Sequence, residues 1–236
     1  YRQKQPRMNY AGLKVMVGRI MAEDLAAVAA LAEKYGTGEI RLSPAQAMII
    51  PNVADEGELG FTGDLGLTLV SSHCDCSPAV FDKKAAEAGE IGMKYLINAW
   101  IGPQKTLDDY KHRAEEFNAA GATCRKHGIR FAYHNHGYTF TKQEGQYPID
   151  ILMKYSDPAL VDFEMDIYWV ATAGEDPEAW LKKYPNRFRL CHVKDRKKGA
   201  DPKDEDASVD VGTGSLNWSK VLGTAKAQGM RYYILE

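Results

Sequence analysis

Short apolar runs alternate with longer amphipathic stretches along most of the chain. The apolar runs are rich in β-branched and aromatic residues, as strands are, and they begin near residues 13, 39, 67, 94, 129, 161, 188 and 231. The stretches between them carry apolar residues at helical spacing, which predicts helices over residues 22–35, 79–90, 106–127, 148–155, 176–183 and 216–228. Strands that alternate with helices form parallel sheets through right-handed crossovers, so the pattern predicts an α/β protein.

The number of predicted strands decides between two architectures. Eight βα units close a (β/α)8 TIM barrel, and this chain would stop at the eighth strand without the closing helix. An open, doubly wound sheet is the alternative, but that fold usually places a glycine-rich phosphate loop after its first strand. The segment GRIMAED at 18–24 lacks such a loop. We therefore predict a TIM barrel that forms a single domain over residues 1–236.

Composition narrows the classes of function. Hydrophobic residues at 44% and charged residues at 26% are ordinary values for a globular protein with a sizeable core. The 30 basic and 32 acidic residues give a net charge of −2, so no nucleic-acid partner is expected. No apolar stretch approaches the ~18 residues of a membrane-spanning helix, so we expect no membrane partner.

Cysteine usage bears on the compartment. The four cysteines include one close pair, Cys74-x-Cys76, whose spacing matches no common zinc motif. We interpret all four as free thiols. Few cysteines and no recognisable export signal predict a reducing, cytoplasmic environment, although the start at Tyr1 leaves open that a signal was removed.

Several predicted strands end in an acid or an imidazole. The runs FAYHNHGYTF (131–140), VDFEMDIYWV (161–170), LCHVKD (190–195) and YYILE (232–236) show this pattern. Parallel strands deliver their last side chains to one edge of a sheet, so we expect Asp166, His192 and Glu236 to converge. Two carboxylates and an imidazole form a pocket suited to a hard or borderline divalent metal.

From about residue 66 to the end, the chain resembles the sugar-isomerase and epimerase barrels of the xylose-isomerase-like superfamily. The motifs that carry the resemblance are GLTLVSSH, HGIRFAYHNHGYTF, DIYWVATAGEDP, HVKD, VGTGSLNW and YYILE, in this order. The resemblance implies a TIM barrel whose divalent metal is held by Glu, Asp, His and Glu from successive strand ends. It places Asp166, His192 and Glu236 at three of these positions. Thr139 stands where such relatives commonly carry an acid.

The resemblance also implies roles for residues around the metal. His134, His136 or Glu164 could substitute for the acid absent at Thr139. Glu236, His136 and Lys194 are the candidate catalytic groups, and the candidate substrate contacts are His73, His134, Asn135, Trp169 and Lys194. Structural histidines and a core tryptophan are the alternatives at these positions. Glu164 lies on the same strand face as Asp166, and we favour a structural pairing for it with a nearby Lys or His.

The first 55 residues resemble a different family. The stretches QKQPRMNYAGLKVMVGR and AEDLAAVAALAEKYGTGEIRLSPAQAMIIPNV are similar to a part of the ferredoxin-dependent nitrite and sulfite reductases. Those enzymes bind sirohaem and an iron–sulfur cluster through two spaced cysteine pairs. The chain lacks such a set, so we expect neither cofactor. We expect this strand–helix–strand segment to supply strands one and two of the barrel; a chimeric chain is the alternative.

The resemblance implies an enzyme. The leading hypothesis is a divalent-metal-dependent isomerase or epimerase that uses Mn²⁺, Mg²⁺ or Zn²⁺ and acts on a small sugar or keto-polyol through an enediolate. A metal-dependent dehydratase or lyase acting on a keto-sugar or inosose is the first alternative, because Thr139 leaves the site short of one carboxylate. A non-catalytic or chimeric barrel is the second. The sequence does not decide whether the protein forms a homo-oligomer.

Overall fold

A computed structural model describes residues 8–14, 22–35, 37–43, 47–54 and 69–235. The chain divides into two compact units, Tyr1–Leu69 and Val70–Glu236. Within the described residues, no helix is both long enough and apolar enough to span a bilayer.

The described residues of the first unit form a three-stranded antiparallel sheet and one helix. Its elements are β1 (Met8–Lys14), α1 (Ala22–Tyr35), β2 (Arg41–Ser43) and β3 (Ala47–Ala54). The strand order is β1-β3-β2, and both outer strands run antiparallel to β3.

This pairing corrects the expectation that residues 1–55 supply two strands of the parallel barrel. Ser43 pairs with Ala47, so three residues separate β2 from β3, which permits a hairpin and is too short for a parallel crossover. We did not predict β3, because Pro51 interrupts its apolar run. The ladder with β1 shifts register beside Pro51, between Asn9 and Ala11. An irregularity of this kind is where a strand tolerates proline.

The second unit is built on a six-stranded parallel sheet. In spatial order, its strands are β4 (Ser71–His73), β5 (Tyr95–Asn98), β6 (Arg130–His134), β7 (Val161–Asp166), β8 (Phe188–Val193) and β11 (Tyr232–Leu235). A short hairpin of β9 (Asp195–Arg196) and β10 (Ser208–Val209) follows β8. The last six predicted strands and their parallel pairing are therefore confirmed.

Helices connect these strands as the apolar spacing predicted. They are α2 (Pro78–Glu90), α3 (Leu107–Lys126), α4 (Pro148–Tyr155), α5 (Ile167–Thr172), α6 (Pro177–Lys183) and α7 (Trp218–Ala227). The short helix α5 and a 3-10 turn at Gly137–Phe140 were not predicted. Thr106 begins α3 with a reciprocal capping box, in which its hydroxyl accepts from the Asp109 amide and the Asp109 carboxylate accepts from the Thr106 amide.

Strand β7 lies at the centre of the packing, and all six of its residues are buried. Because successive side chains alternate, Val161, Phe163 and Met165 share one face, and Asp162, Glu164 and Asp166 share the other. On the apolar side, Phe117 of α3 stacks on Tyr133 with 4.9 Å between ring centroids. The acidic face is unusual, since buried carboxylates need partners.

The three acids of β7 find different partners along the strand. Asp162, at the amino end, accepts from Arg130 Nε at 2.5 Å and from the Tyr95 hydroxyl at 2.9 Å. Glu164 and Asp166 lie nearer the carboxyl end of the strand, where a TIM barrel carries its active site. Asp162 is thus part of the structure, and the other two acids begin the site.

Candidate metal centre

Three imidazoles converge on one oxygen of Glu164. Glu164 Oε2 lies 2.8 Å from His134 Nδ1, 2.8 Å from His73 Nε2 and 3.4 Å from His192 Nε2. The second acid of the strand, Asp166, places Oδ2 3.6 Å from His134 Nε2 and 4.0 Å from His192 Nδ1. Two carboxylates and two imidazoles therefore alternate around a ring, and His73 joins it at Glu164.

The register of the sheet explains most of this convergence. His134 of β6 pairs with Glu164 of β7, and Asp166 of β7 pairs with His192 of β8. Glu164 and Asp166 are two residues apart, so both project from the same face. Three adjacent strands thereby supply four of the five groups.

The fifth group, His73, requires the sheet to curve. Four strand spacings separate β4 from β8, which amounts to about 19 Å across a flat sheet. The rings of His73 and His192 nevertheless stack with their centroids 5.3 Å apart. The strands therefore coil toward each other as in part of a barrel, and this curvature completes the cluster.

Electrostatics hold Glu164 ionised despite its burial. Burial raises the pKa of this carboxyl, but hydrogen bonds from His134 and His73 and the charge of His192 outweigh it and lower the pKa to about 2. The side chain is fully buried. Its other oxygen, Oε1, is also buried and has no hydrogen-bond partner. An ionised, buried oxygen without a partner is unusual in a protein and is what a cation would satisfy.

The donor set fits a divalent metal. His73, His134, Glu164 and His192 each offer one ligand atom, and these atoms lie within 4.8 Å of one another. Around a zinc ion with bonds of about 2.1 Å, tetrahedral ligands are about 3.4 Å apart, so small side-chain adjustments would suffice. Imidazole nitrogen suits zinc and related borderline metals better than magnesium or calcium.

The structure brings together some of the predicted metal ligands. Asp166 and His192 lie at the cluster, as the strand-end pattern indicated. Glu236 lies outside the described residues, so its ligand and base roles stay predictions. His73 and His134, which we assigned to substrate, have the geometry of ligands. Glu164, for which we favoured structural pairing, does pair with histidines, but it is also the centre of the candidate metal centre.

Next to the cluster, His136 lies within an aromatic group. Its ring centroid is 4.6 Å from Trp100, 5.3 Å from Trp169 and 6.0 Å from Tyr138, on which it stacks. Burial, followed by the positive charges of His134 and His73, lowers the pKa of His136 to about 4. His136 is therefore a neutral imidazole at neutral pH. Its buried Nδ1 has no hydrogen-bond partner in the structure.

Two further candidate residues have contacts that bear on their roles. The Asn135 side chain donates to the Asp166 carbonyl at 3.2 Å and accepts from the Asp166 amide at 3.1 Å, so it positions that strand end. Its predicted contact with substrate stays a prediction. Lys194 Nζ lies 5.2 Å from the centroid of the Tyr168 ring, beside the carboxyl end of β8.

Two positions near the strand ends stabilise loops. The Thr139 hydroxyl donates to the His136 carbonyl at 2.9 Å, which fixes the 3-10 turn after β6. Asp195 accepts hydrogen bonds from Trp218 Nε1 and from the amides of Gly212 and Gly214. Asp195 therefore organises the loop before α7.

Comparison with known proteins agrees with this architecture. A family model described as a xylose isomerase-like TIM barrel matches residues 76–236. The chain belongs to this family. A solved structure of a sugar phosphate isomerase/epimerase from Parabacteroides distasonis is 28% identical, with a TM-score of 0.64, over 78% of this chain and 68% of that one. The crystal structure of an IolI protein with a bound zinc atom has a TM-score of 0.55 at 16% identity, over 67% of this chain and 59% of that one.

Curated relatives cover shorter parts of the chain. Inosose dehydratase from Clostridium perfringens is 33% identical over 105 residues, which are 44% of this chain and 32% of that enzyme. A second family model, the nitrite/sulfite reductase ferredoxin-like half domain, matches residues 1–57. There the chain is 50% identical to the chloroplastic ferredoxin–nitrite reductase of Zea mays over 54 residues, 23% of this chain. The chain thus spans about a tenth of the maize enzyme and a third of the dehydratase.

Proposed function

We propose that the second unit is a divalent-metal-dependent isomerase or epimerase of a small sugar or keto-polyol. The observation that carries this proposal is the convergence of His73, His134 and His192 on the buried, ionised Glu164. The sugar phosphate isomerase/epimerase from Parabacteroides distasonis supports the reaction class. The zinc atom in the IolI structure, together with the imidazole-rich donor set, favours zinc over Mn²⁺ or Mg²⁺.

The residues would divide into ligands and proton-transfer groups. The metal would be held by the imidazoles and Glu164, with Asp166 and Glu236 as the further carboxylates. Once bound, a divalent ion polarises the carbonyl and neighbouring hydroxyl oxygens of a sugar and so acidifies the adjacent C–H group. Glu236, which follows β11, stays our proposed proton acceptor.

Other groups act on the substrate directly. His136 is a neutral imidazole beside the cluster, and we assign it to proton transfer with the substrate. Lys194, a cation beside the strand ends, offsets the negative charge that develops on an enediolate oxygen. Trp169 and Trp100 offer an apolar wall to the C–H face of a sugar.

The reaction is tested by following the proton. The zinc-loaded protein is incubated in D₂O with unphosphorylated and phosphorylated ketoses, and the products are analysed by NMR and mass spectrometry. We expect deuterium at the carbon next to the carbonyl in an isomer or epimer that has lost no water, and we expect this product to be absent after chelation. No deuterium incorporation and no product from any ketose would favour the non-catalytic barrel.

A dehydratase is the second candidate, because the Clostridium inosose dehydratase is 33% identical over the part that it shares. Thr139 has a hydroxyl in place of a carboxylate, and that hydroxyl donates to the His136 carbonyl. Elimination needs one base and one acid, and such a site can provide both. Loss of water from a keto-inositol in the same assay, without epimerisation of any ketose, would support this reaction over the first.

A further inference from the structure

Two thiols lie together immediately after His73, a candidate metal ligand in the structure. Cys74 Sγ and Cys76 Sγ are 3.9 Å apart, within reach of a sulfur hydrogen bond. The Cys74 amide donates to the Ile97 carbonyl at 2.9 Å, which continues the ladder between β4 and β5. Lys84 Nζ donates to the Asp75 carbonyl at 2.9 Å and holds the residue between the two thiols. The pair is therefore built into a defined turn that leads to α2.

Access distinguishes this pair from the other two cysteines. Cys74 and Cys76 are both partly exposed, whereas Cys124 and Cys191 are fully buried. Cys76 also lines a cavity of about 520 Å³ between α2 and α3, whose wall includes Trp100, Phe81 and Arg113. A small reagent can enter a space of this size, so the close pair is accessible in the folded protein, whereas the other two thiols are not.

We propose that Cys74 and Cys76 form a redox modification site that reacts with low-molecular-weight disulfides such as oxidised glutathione. One thiolate attacks a sulfur of oxidised glutathione, forms a mixed disulfide and releases one glutathione thiolate. The other cysteine then loses its proton and attacks the sulfur of the first cysteine. This step forms the disulfide between Cys74 and Cys76 and releases the second glutathione. Two protein thiols become one disulfide, and two electrons and two protons pass to the reagent as two glutathione thiols.

Disulfide formation has a consequence for the candidate metal centre, and this part rests on the proposed function. The sulfur atoms must move from 3.9 Å to about 2.0 Å, which displaces the turn that begins directly after His73. His73 Nε2 lies 2.8 Å from Glu164 Oε2. We therefore expect oxidation to weaken zinc binding by at least about tenfold, the range seen when groups that orient metal ligands are lost.

The test uses the full chain treated with oxidised glutathione. Differential alkylation and mass spectrometry are applied to the wild type, Cys74→Ser, Cys76→Ser and the double variant. We expect the wild-type peptide with both cysteines to lose two hydrogens, and each single variant to stop at one stable glutathione adduct. Cys124 and Cys191 should stay reduced in the native protein. A wild type in which both thiols stay reduced, or in which a mixed disulfide persists as in the single variants, would overturn the proposal.

Zinc titrations of the same samples separate this proposal from the metal centre. Weaker zinc binding by the oxidised wild type, restored by dithiothreitol and absent in the double variant, supports the link to His73. Unchanged zinc affinity after complete disulfide formation would overturn that link. No zinc binding by the reduced wild type would contradict the proposed function, while the thiol measurement would still decide the modification site.

Discussion

Glu164 and His134 face each other across two neighbouring parallel strands, with 2.8 Å between Glu164 Oε2 and His134 Nδ1. Register alone sets this relationship, because the two residues are directly paired in the ladder of β6 and β7. Curvature then adds His73 to the same oxygen. A carboxylate in this position is held ionised by imidazoles and also keeps one oxygen without a partner. The pair therefore links the fold to the proposed chemistry.

Zinc should stabilise the folded protein through this cluster. At a concentration of about 100 times Kd, binding to the native state adds about 2.7 kcal/mol, and the melting temperature rises accordingly. His134→Gln should abolish most of that increase. His127→Gln is the matched control, since His127 follows α3 and contacts Asp82 of α2, away from the cluster. Differential scanning fluorimetry with and without zinc measures both; equal shifts for the two variants would contradict the assignment of His134.

The aromatic wall should affect substrate affinity more than stability. Trp100 is 59% exposed and contacts His136, so Trp100→Ala removes little from the core. We expect KM to rise several-fold with kcat nearly unchanged, because stacking acts on the bound substrate as well as on the transition state. Tyr155→Ala, at an exposed aromatic residue that ends α4, should leave both constants unchanged. Steady-state kinetics decide the matter; an unchanged KM for Trp100→Ala would remove the wall from the mechanism.

Asp195 should make the stability of the second unit depend on acid pH. Burial raises its pKa, but hydrogen bonds from Trp218 and the loop amides outweigh burial and lower it. A carboxyl with a lowered pKa stabilises the native state above its unfolded pKa of about 4, and this contribution is lost as the pH falls through the native pKa.

The variant Asp195→Asn should cost about 1–3 kcal/mol at neutral pH, because a neutral amide presents N–H groups to the donors of the loop. Its unfolding free energy should also vary less with pH than that of the wild type below pH ~4. Glu205→Gln, at an exposed acid between β9 and β10, is the control. Urea denaturation over a pH series provides the data, and identical pH slopes for wild type and Asp195→Asn would refute the assignment.

A glycine on α3 permits the close approach of helix and strand. A Cβ atom at Gly121 would lie 2.5 Å from the Leu160 carbonyl oxygen, whereas a Cβ at Gly223 on α7 would meet nothing within 4 Å. Gly121→Ala should therefore destabilise the protein by about 1–3 kcal/mol. Gly223→Ala should be neutral or stabilising by up to about 1 kcal/mol, owing to helix propensity. Chemical denaturation compares the two, and a stable Gly121→Ala protein would mean that the helix can shift.

The sequence predicted the second unit well because its elements are locally determined. Apolar runs and helical spacing located the last six strands, and β7 and β8 placed Asp166 beside His192 as expected. The first unit was different. Pro51 interrupts the apolar run of β3, so this strand was not predicted. Without β3, the hairpin that makes the sheet antiparallel could not be recognised.

The candidate metal centre was only partly predictable for a related reason. Spacing showed that Glu164 shares a face with Asp166, but the identity of its partners depends on interstrand register. The contribution of His73 depends on the curvature of the whole sheet, which brings β4 within reach of β8. Neither property can be obtained from one short segment.

The most direct test of the central claim is isothermal titration of the metal-free protein with zinc. Glu164→Gln keeps the size of the side chain and removes its charge, and His73→Gln removes a partly exposed ligand with little risk to folding. We predict one site in the wild type, at least about a hundredfold weaker binding for Glu164→Gln, about tenfold or more for His73→Gln, and no change for His127→Gln. Wild-type affinity in folded Glu164→Gln and His73→Gln would show that this cluster is not the metal centre.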